Sequence, residues 1–116
     1  MTTDTKALAL EDCMIGDVLV ARWGHSMIIV QFFEIVGRRG STIYQLRELK
    51  REQVSGDPGW NGRVIPKPGD YIDPSPDGMF EARASRKAPG SVTIAAYSDV
   101  TASPWDGQPK YFDSAD

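Results

Sequence analysis

Phe32-Phe33-Glu34-Ile35-Val36-Gly37-Arg38-Arg39-Gly40-Ser41-Thr42-Ile43-Tyr44-Gln45-Leu46-Arg47-Glu48-Leu49 is the stretch that decides the fold. β-Branched and aromatic residues flank a glycine-containing turn, which is the pattern of two half-buried strands joined as a hairpin. On the outgoing strand, 32–37, Phe32, Glu34 and Val36 share one face and Phe33 and Ile35 the other. Residues 38–41 turn, and 42–49 returns with Ile43, Gln45, Arg47 and Leu49 opposite Thr42, Tyr44, Leu46 and Glu48. The period is two, so a helix does not fit.

Upstream, 18–23 reads as a first strand, entered through Gly16-Asp17 from a segment, 7–15, that suits a short helical turn or a lead-in strand. Downstream, 50–62 is polar and carries Gly56, Pro58 and Gly59, which predicts a long loop. A short edge strand is expected at 63–66. Another loop is expected over 66–78, where Pro66, Pro68, Pro74 and Pro76 cannot donate ladder hydrogen bonds. Strands follow at 79–84 and 91–97, with Ala88-Pro89-Gly90 turning between them. Asp106-Gly107 predicts a tight closing hairpin between 100–105 and 109–112. Five to seven short strands predict a mostly β fold, a small antiparallel barrel or curved sheet, with an SH3-like barrel preferred and at most one or two short helical turns.

The 116 residues suit a single domain with one core, 1–6 and 113–116 being expected to fray. No apolar run approaches the ~20 residues of a membrane-spanning helix, the longest candidate being 27–30. The first residues lack the pattern of a secretory signal, and Cys13 has no second cysteine to pair with, so a cytoplasmic location is expected. Cys13 itself reads as a small buried residue beside Met14 and Ile15.

A net charge of −3 is unevenly spread. Residues 1–17 carry Asp4, Glu11, Asp12 and Asp17 against Lys6, and 99–116 carry Asp99, Asp106, Asp113 and Asp116 against Lys110. The middle is basic, with the pairs Arg38-Arg39, Lys50-Arg51 and Arg86-Lys87. Such pairs usually stand as solvated turn residues, and a nucleic-acid footprint needs a larger continuous excess.

Most enzyme classes lack their parts. One His and one Cys, twelve positions apart, do not make a zinc site, and no phosphate-cradling glycine motif occurs. A nucleophile–base pair has only His25, with Ser26 or Cys13, to draw on. Asp70, Asp73 and Asp77 lack the spacing and terminal glutamate of an EF-hand and read as solvated loop carboxylates. The chain is expected to be non-enzymatic, with no cofactor and no metal.

Eleven aromatics exceed what one small core requires. Trp23, Phe32, Tyr44 and Phe80 read as core, while Trp60 and Trp105, each beside turn residues in Pro58-Gly59-Trp60-Asn61-Gly62 and Ser103-Pro104-Trp105-Asp106-Gly107, are candidates for exposure and hence for binding anchors.

Two segments carry a family resemblance. Trp23-Gly24-His25, followed by the Phe32-Phe33 pair, resembles the opening signature of a family of small phage- and plasmid-encoded proteins. Trp105-Asp106-Gly107-Gln108-Pro109-Lys110-Tyr111 is similar to that family's closing Trp-Asp-Gly-x-Pro-x-Tyr hairpin, and Gly62-Arg63-Val64-Ile65-Pro66 fits the short strand between. The resemblance covers most of residues 17–112 and departs at Met27-Ile28-Ile29, where the family usually has polar residues. It implies a phage or mobile-element setting and supplies no catalytic residues.

The expectation is therefore an accessory protein that binds a host protein, as inhibitors of host defence of the anti-CRISPR kind do, with acidic ends facing a basic groove of a nucleic-acid-handling complex. Trp23, His25, Trp60, Trp105, Asp106 and Tyr111 are the candidate partner-binding residues. The alternative is a nucleic-acid-binding β-barrel using the basic pairs.

Overall fold

The computed structural model describes residues 9–24, 26–58, 60–94 and 100–114. Eight strands are formed: β1 (Val18–Trp23), β2 (Ile29–Arg39), β3 (Ile43–Asp57), β4 (Asn61–Tyr71), β5 (Met79–Arg83), β6 (Val92–Thr93), β7 (Thr101–Pro104) and β8 (Lys110–Asp113). They make one antiparallel sheet in the order β6-β7-β1-β2-β3-β4-β8, with β5 added to β3. The fold is mostly β, and 3-10 turns at Leu10–Asp12 and Pro76–Gly78 are the helical elements among the described residues.

Of the two expected forms the chain adopts the open curved sheet. Among the described residues no continuous ladder closes it; single bridges, Ala84–Val92 and Ile28–Asp113, mark where its parts come back together.

β2 and β3 form the expected hairpin, in register from Phe32–Leu49 to Arg39–Ile43 with a bulge between Ile35 and Gly37. The alternation read from the sequence holds: Phe33, Ile35, Tyr44 and Leu46 are buried together in one cluster with Leu19, Ala21 and Val92. Phe32 lies on the other face with Val30, Leu49 and Val64 in a second cluster. Two clusters form because the sheet curls both ways around β2 and β3. The first half of β3 pairs with β5 and the second half with β4. A strand buried on both faces needs apolar residues at consecutive positions, which Phe32-Phe33 supplies.

Three sequence expectations need correction. Residues 50–57 continue β3, and 61–71 form one long strand where a short edge strand between two loops was expected. The polar run stays extended because β4 supplies its hydrogen bonds, from Arg51–Pro66 to Asp57–Asn61. The prolines are tolerated because the register jumps from Arg51–Pro66 to Leu49–Tyr71, so 67–70 bulge out and Pro68 owes no ladder hydrogen bond. Gly69 N–H and the Tyr71 hydroxyl donate to the Glu34 carboxylate at 2.9 and 3.1 Å, pinning the bulge to β2.

Asp106-Gly107 turns as expected, Gln108 N–H donating to Asp106 Oδ1 at 2.9 Å, but makes a corner rather than a hairpin. β7 pairs with β1 and β6, and β8 with β4. Asp113 and Ser114 are tied to the sheet by backbone hydrogen bonds, and 115–116 lie outside the described residues. Asp113 exchanges both backbone hydrogen bonds with Ile28, at 2.8 and 3.0 Å, and Ser114 N–H donates to Trp60 O at 2.7 Å. Of the strand expected at 91–97, β6 takes Val92–Thr93, and 95–99 lie outside the described residues.

Cys13 is buried, as expected. Its thiol is pushed up to about 11, first by burial and then by the carboxylates of Asp17 and Asp12. An unfolded chain ionises this thiol at a lower pH than the folded one, so the stability it contributes is complete below the unfolded value and is lost as pH rises toward 11. The native protein is expected to be inert to a thiol-specific disulfide reagent at pH 8 and to react fully in denaturant. Rapid stoichiometric reaction without denaturant would contradict the burial.

Candidate functional site

The residues singled out from sequence separate into two places. Trp60 and Tyr111 are exposed, at 63% and 38%, and Trp23, which the sequence placed in the core, is exposed too, at 39%, because it ends β1. Strand pairing gathers their backbones around the C-terminal end of β8. Trp23 is in register with Ile29, Ile28 bridges Asp113, Asp113 is in register with Asn61 next to Trp60, and Tyr111 faces Arg63. The Trp23 indole is fixed by a 2.7 Å hydrogen bond to Gln31 Oε1, and Gln31 in turn donates to Glu48 Oε2 at 3.3 Å. Burial holds the Glu48 carboxyl above its ordinary range.

Trp105 and Asp106 stand elsewhere. Trp105 does not present an exposed anchor: it packs edge-on to Phe32, ring centroids 5.8 Å apart, and its indole donates to Gln108 O at 2.7 Å. Its placement follows from Trp105 N–H donating to Val18 O, which lays the ring over the second cluster. Asp106 pairs with Lys110 at 2.8 Å, and that contact, with the Gln108 amide, holds its carboxyl below the usual range. Both residues act as parts of the corner. His25 lies outside the described residues, and so does any pairing of it with Ser26 or Cys13.

The most exposed apolar residues were not among the candidates. Met14 and Ile15, expected to pack beside Cys13, are 71% and 70% exposed. They sit on a rigid turn. Asp17 N–H donates to Met14 O at 3.0 Å, Met14 N–H donates to Asp17 Oδ2 at 2.8 Å, and Gly16 N–H donates to Ile35 O at 2.7 Å. Gly16, at φ +102°, takes the left-handed third position that a type II turn reserves for glycine. Cys13 alone points inward, so its two neighbours are carried outward. Glu11 and Asp12 are exposed beside the turn and Asp17 is half-buried within it. The nearby cation, Arg38, is stacked on the Tyr44 ring at 4.6 Å. A Gly-Asp closing a turn after two apolar residues was the available signal.

Two of the three basic pairs come to one end of the sheet. Arg39, Ile43 and Arg83 are in register across β2, β3 and β5, and Ala84 N–H donates to Thr42 O, which brings Arg86-Lys87 to the same end. Arg39 pairs with Glu81 at 3.0 Å. Lys50 lies apart and pairs with Asp70, which Lys67 also approaches. Asp73 accepts from Ser75 N–H, and no group of three or more metal-ligating side chains occurs among the described residues. No described helix is long and apolar enough to cross a membrane.

Compared with known protein families, with curated proteins and with solved structures, the chain matches none.

Proposed function

We propose that the protein is a non-enzymatic accessory protein of phage or mobile-element type that acts by binding a basic surface of a host protein, in the manner of an inhibitor of a nucleic-acid-handling defence complex. The observation that carries this reading is the Met14–Asp17 turn: two large apolar side chains held out to solvent at about 70%, on a backbone pinned at three points, with carboxylates around them. Exposed apolar side chains on a floppy loop lose entropy when a partner orders them, whereas a pre-formed turn avoids most of that cost. The carboxylates of Glu11, Asp12 and Asp17 favour a cationic partner surface and disfavour an acidic one.

The test is affinity capture from host lysate at physiological salt, with the recovered protein identified and its affinity measured. Replacing Met14 and Ile15 together by Asp is expected to weaken binding at least tenfold, since central apolar anchors contribute about 2 kcal/mol or more. The fold should be untouched, because neither side chain is in either core cluster. Unchanged affinity would reject this surface, and loss on Trp60→Ala instead would move the interface to the aromatic end.

A second reading has one observation behind it, the gathering of Arg38-Arg39, Arg83 and Arg86-Lys87 at one end. A nucleic-acid-binding protein using them would show affinity for short duplexes or single strands that falls steeply with salt. A flat titration at low salt removes that reading.

A further inference from the structure

β2 and β3 separate beyond the Phe32–Leu49 pair, although β2 extends back to Ile29 and β3 on to Asp57. From that point β3 takes β4 as its partner, β4 takes β8, and β8 returns to the lead-in of β2 through the Ile28–Asp113 bridge. Between the diverging strands lies a cleft of about 370 Å³, within the ~300–1,000 Å³ range of small-molecule sites. Its apolar lining includes Ile28, Val30, Val64 and Phe112, and Arg51 and Gln53 are its polar side chains on β3.

The two polar side chains that β3 contributes differ in availability. Gln53 donates to the carbonyl oxygens of Ser55, Asp57 and Asn61 and is committed to the hairpin tip. Arg51 donates to the carbonyl of Val30, which lies beyond the last β2–β3 pair. That bond holds the guanidinium at the cleft wall, and no carboxylate lies within ion-pair distance of it among the described residues. Glu48, three positions earlier on β3, is beyond ion-pair distance and accepts from Gln31, although Arg51 is one of the charges acting on its carboxyl; Leu49 and Arg51 alternate onto the face of the cleft. On β8 both Phe112, which packs against the second cluster, and Asp113, whose backbone is bonded to Ile28, line the cleft.

A fixed guanidinium with donors to spare, over an apolar floor, matches a ligand with a hydrocarbon body and an anionic end. It repels an amine. We propose that this cleft binds a small apolar carboxylate, its hydrocarbon part on Ile28 and Phe112 and its carboxylate on Arg51. The site is at the other end of β2 from the Met14–Asp17 turn, whose Gly16 bonds Ile35, so it stands or falls independently of partner binding.

Octanoate, octanol and octylamine titrated separately into the full chain, followed by NMR of the Ile28, Val30 and Val64 methyl groups, test the proposal. Octanoate is expected to shift those methyls and to bind about tenfold more tightly than octanol, with octylamine weakest. In Arg51→Gln the advantage of octanoate over octanol should vanish while octanol affinity stays the same. Absence of binding, shifts centred elsewhere, equal affinities for octanoate and octanol, or undiminished octanoate binding in Arg51→Gln would each overturn it. Should Arg51→Gln fail to fold, the three-ligand comparison on the unmutated chain decides alone.

Discussion

Phe32→Ala is expected to lower the free energy of unfolding by about 3–5 kcal/mol, a large share of the ~5–15 kcal/mol typical of a whole domain. The Phe32 ring is fully buried, in register with Val20 on one side and Leu49 on the other, and packed edge-on to Trp105. Truncation opens a cavity in the smaller cluster, whose four buried residues are held in place by strand backbone and collapse only partly into the space. It also removes the surface on which Trp105 rests, and with it the support of the corner that sends β7 to β1 and β8 to β4. Urea unfolding measures the loss directly. Tyr111→Ala, at an exposed position on β8, should cost under about 1 kcal/mol by the same assay. Equal effects at the two positions would mean that the second cluster is not a core.

Gly62→Ala is expected to destabilise by about 3 kcal/mol, far more than the addition of one methyl group suggests. Gly62 has φ +144°, and a Cβ there would stand 1.9 Å from Ser55 O and 2.9 Å from Gln53 Nε2. Neither contact can relax cheaply. Ser55 O is backbone inside the β3–β4 ladder, and Gln53 Nε2 is the donor that binds the hairpin tip together. Gly62 is also in register with Phe112, so a displaced β4 pulls β8 away and opens the cleft. Gly40→Ala is the comparison: φ is +73°, but nothing lies within 4 Å of the new Cβ, so only the backbone conformation is penalised, at about 1 kcal/mol. Thermal melts of the two variants separate close approach from conformational strain. Equal shifts would show that the approach at Gly62 is not tight.

The candidate site was only partly legible in the sequence. Trp60, beside its turn, is exposed as expected, whereas Trp23, read as core, stands at the end of β1 and is exposed as well. Trp105 has a context close to that of Trp60, with a proline shortly before it and Asp-Gly where Trp60 has Asn-Gly, yet is drawn inward. The difference lies in β1, whose Val18 carbonyl takes the Trp105 amide from eighty-seven positions away in the chain. Met14 and Ile15 misled in the opposite sense: hydrophobicity suggested burial with Cys13, but the reverse turn closed by Asp17 sends them out.

The class of the fold and its central hairpin are written locally in the residues. A period of two around Arg38-Arg39-Gly40-Ser41 is a local property, and the side chains that set it are buried on the faces the alternation assigns. Only the tertiary structure decided the rest. Residues 50–57 have no apolar pattern, so what keeps them extended is the partner β4; Asp106-Gly107 fixes a turn, but which strands its two arms join depends on distant β1 and β4. The Arg51 cleft exists for the same reason: two strands that are adjacent at Phe32–Leu49 part company because each finds another partner, and hydrogen bonds between distant segments carry no signature in either one alone.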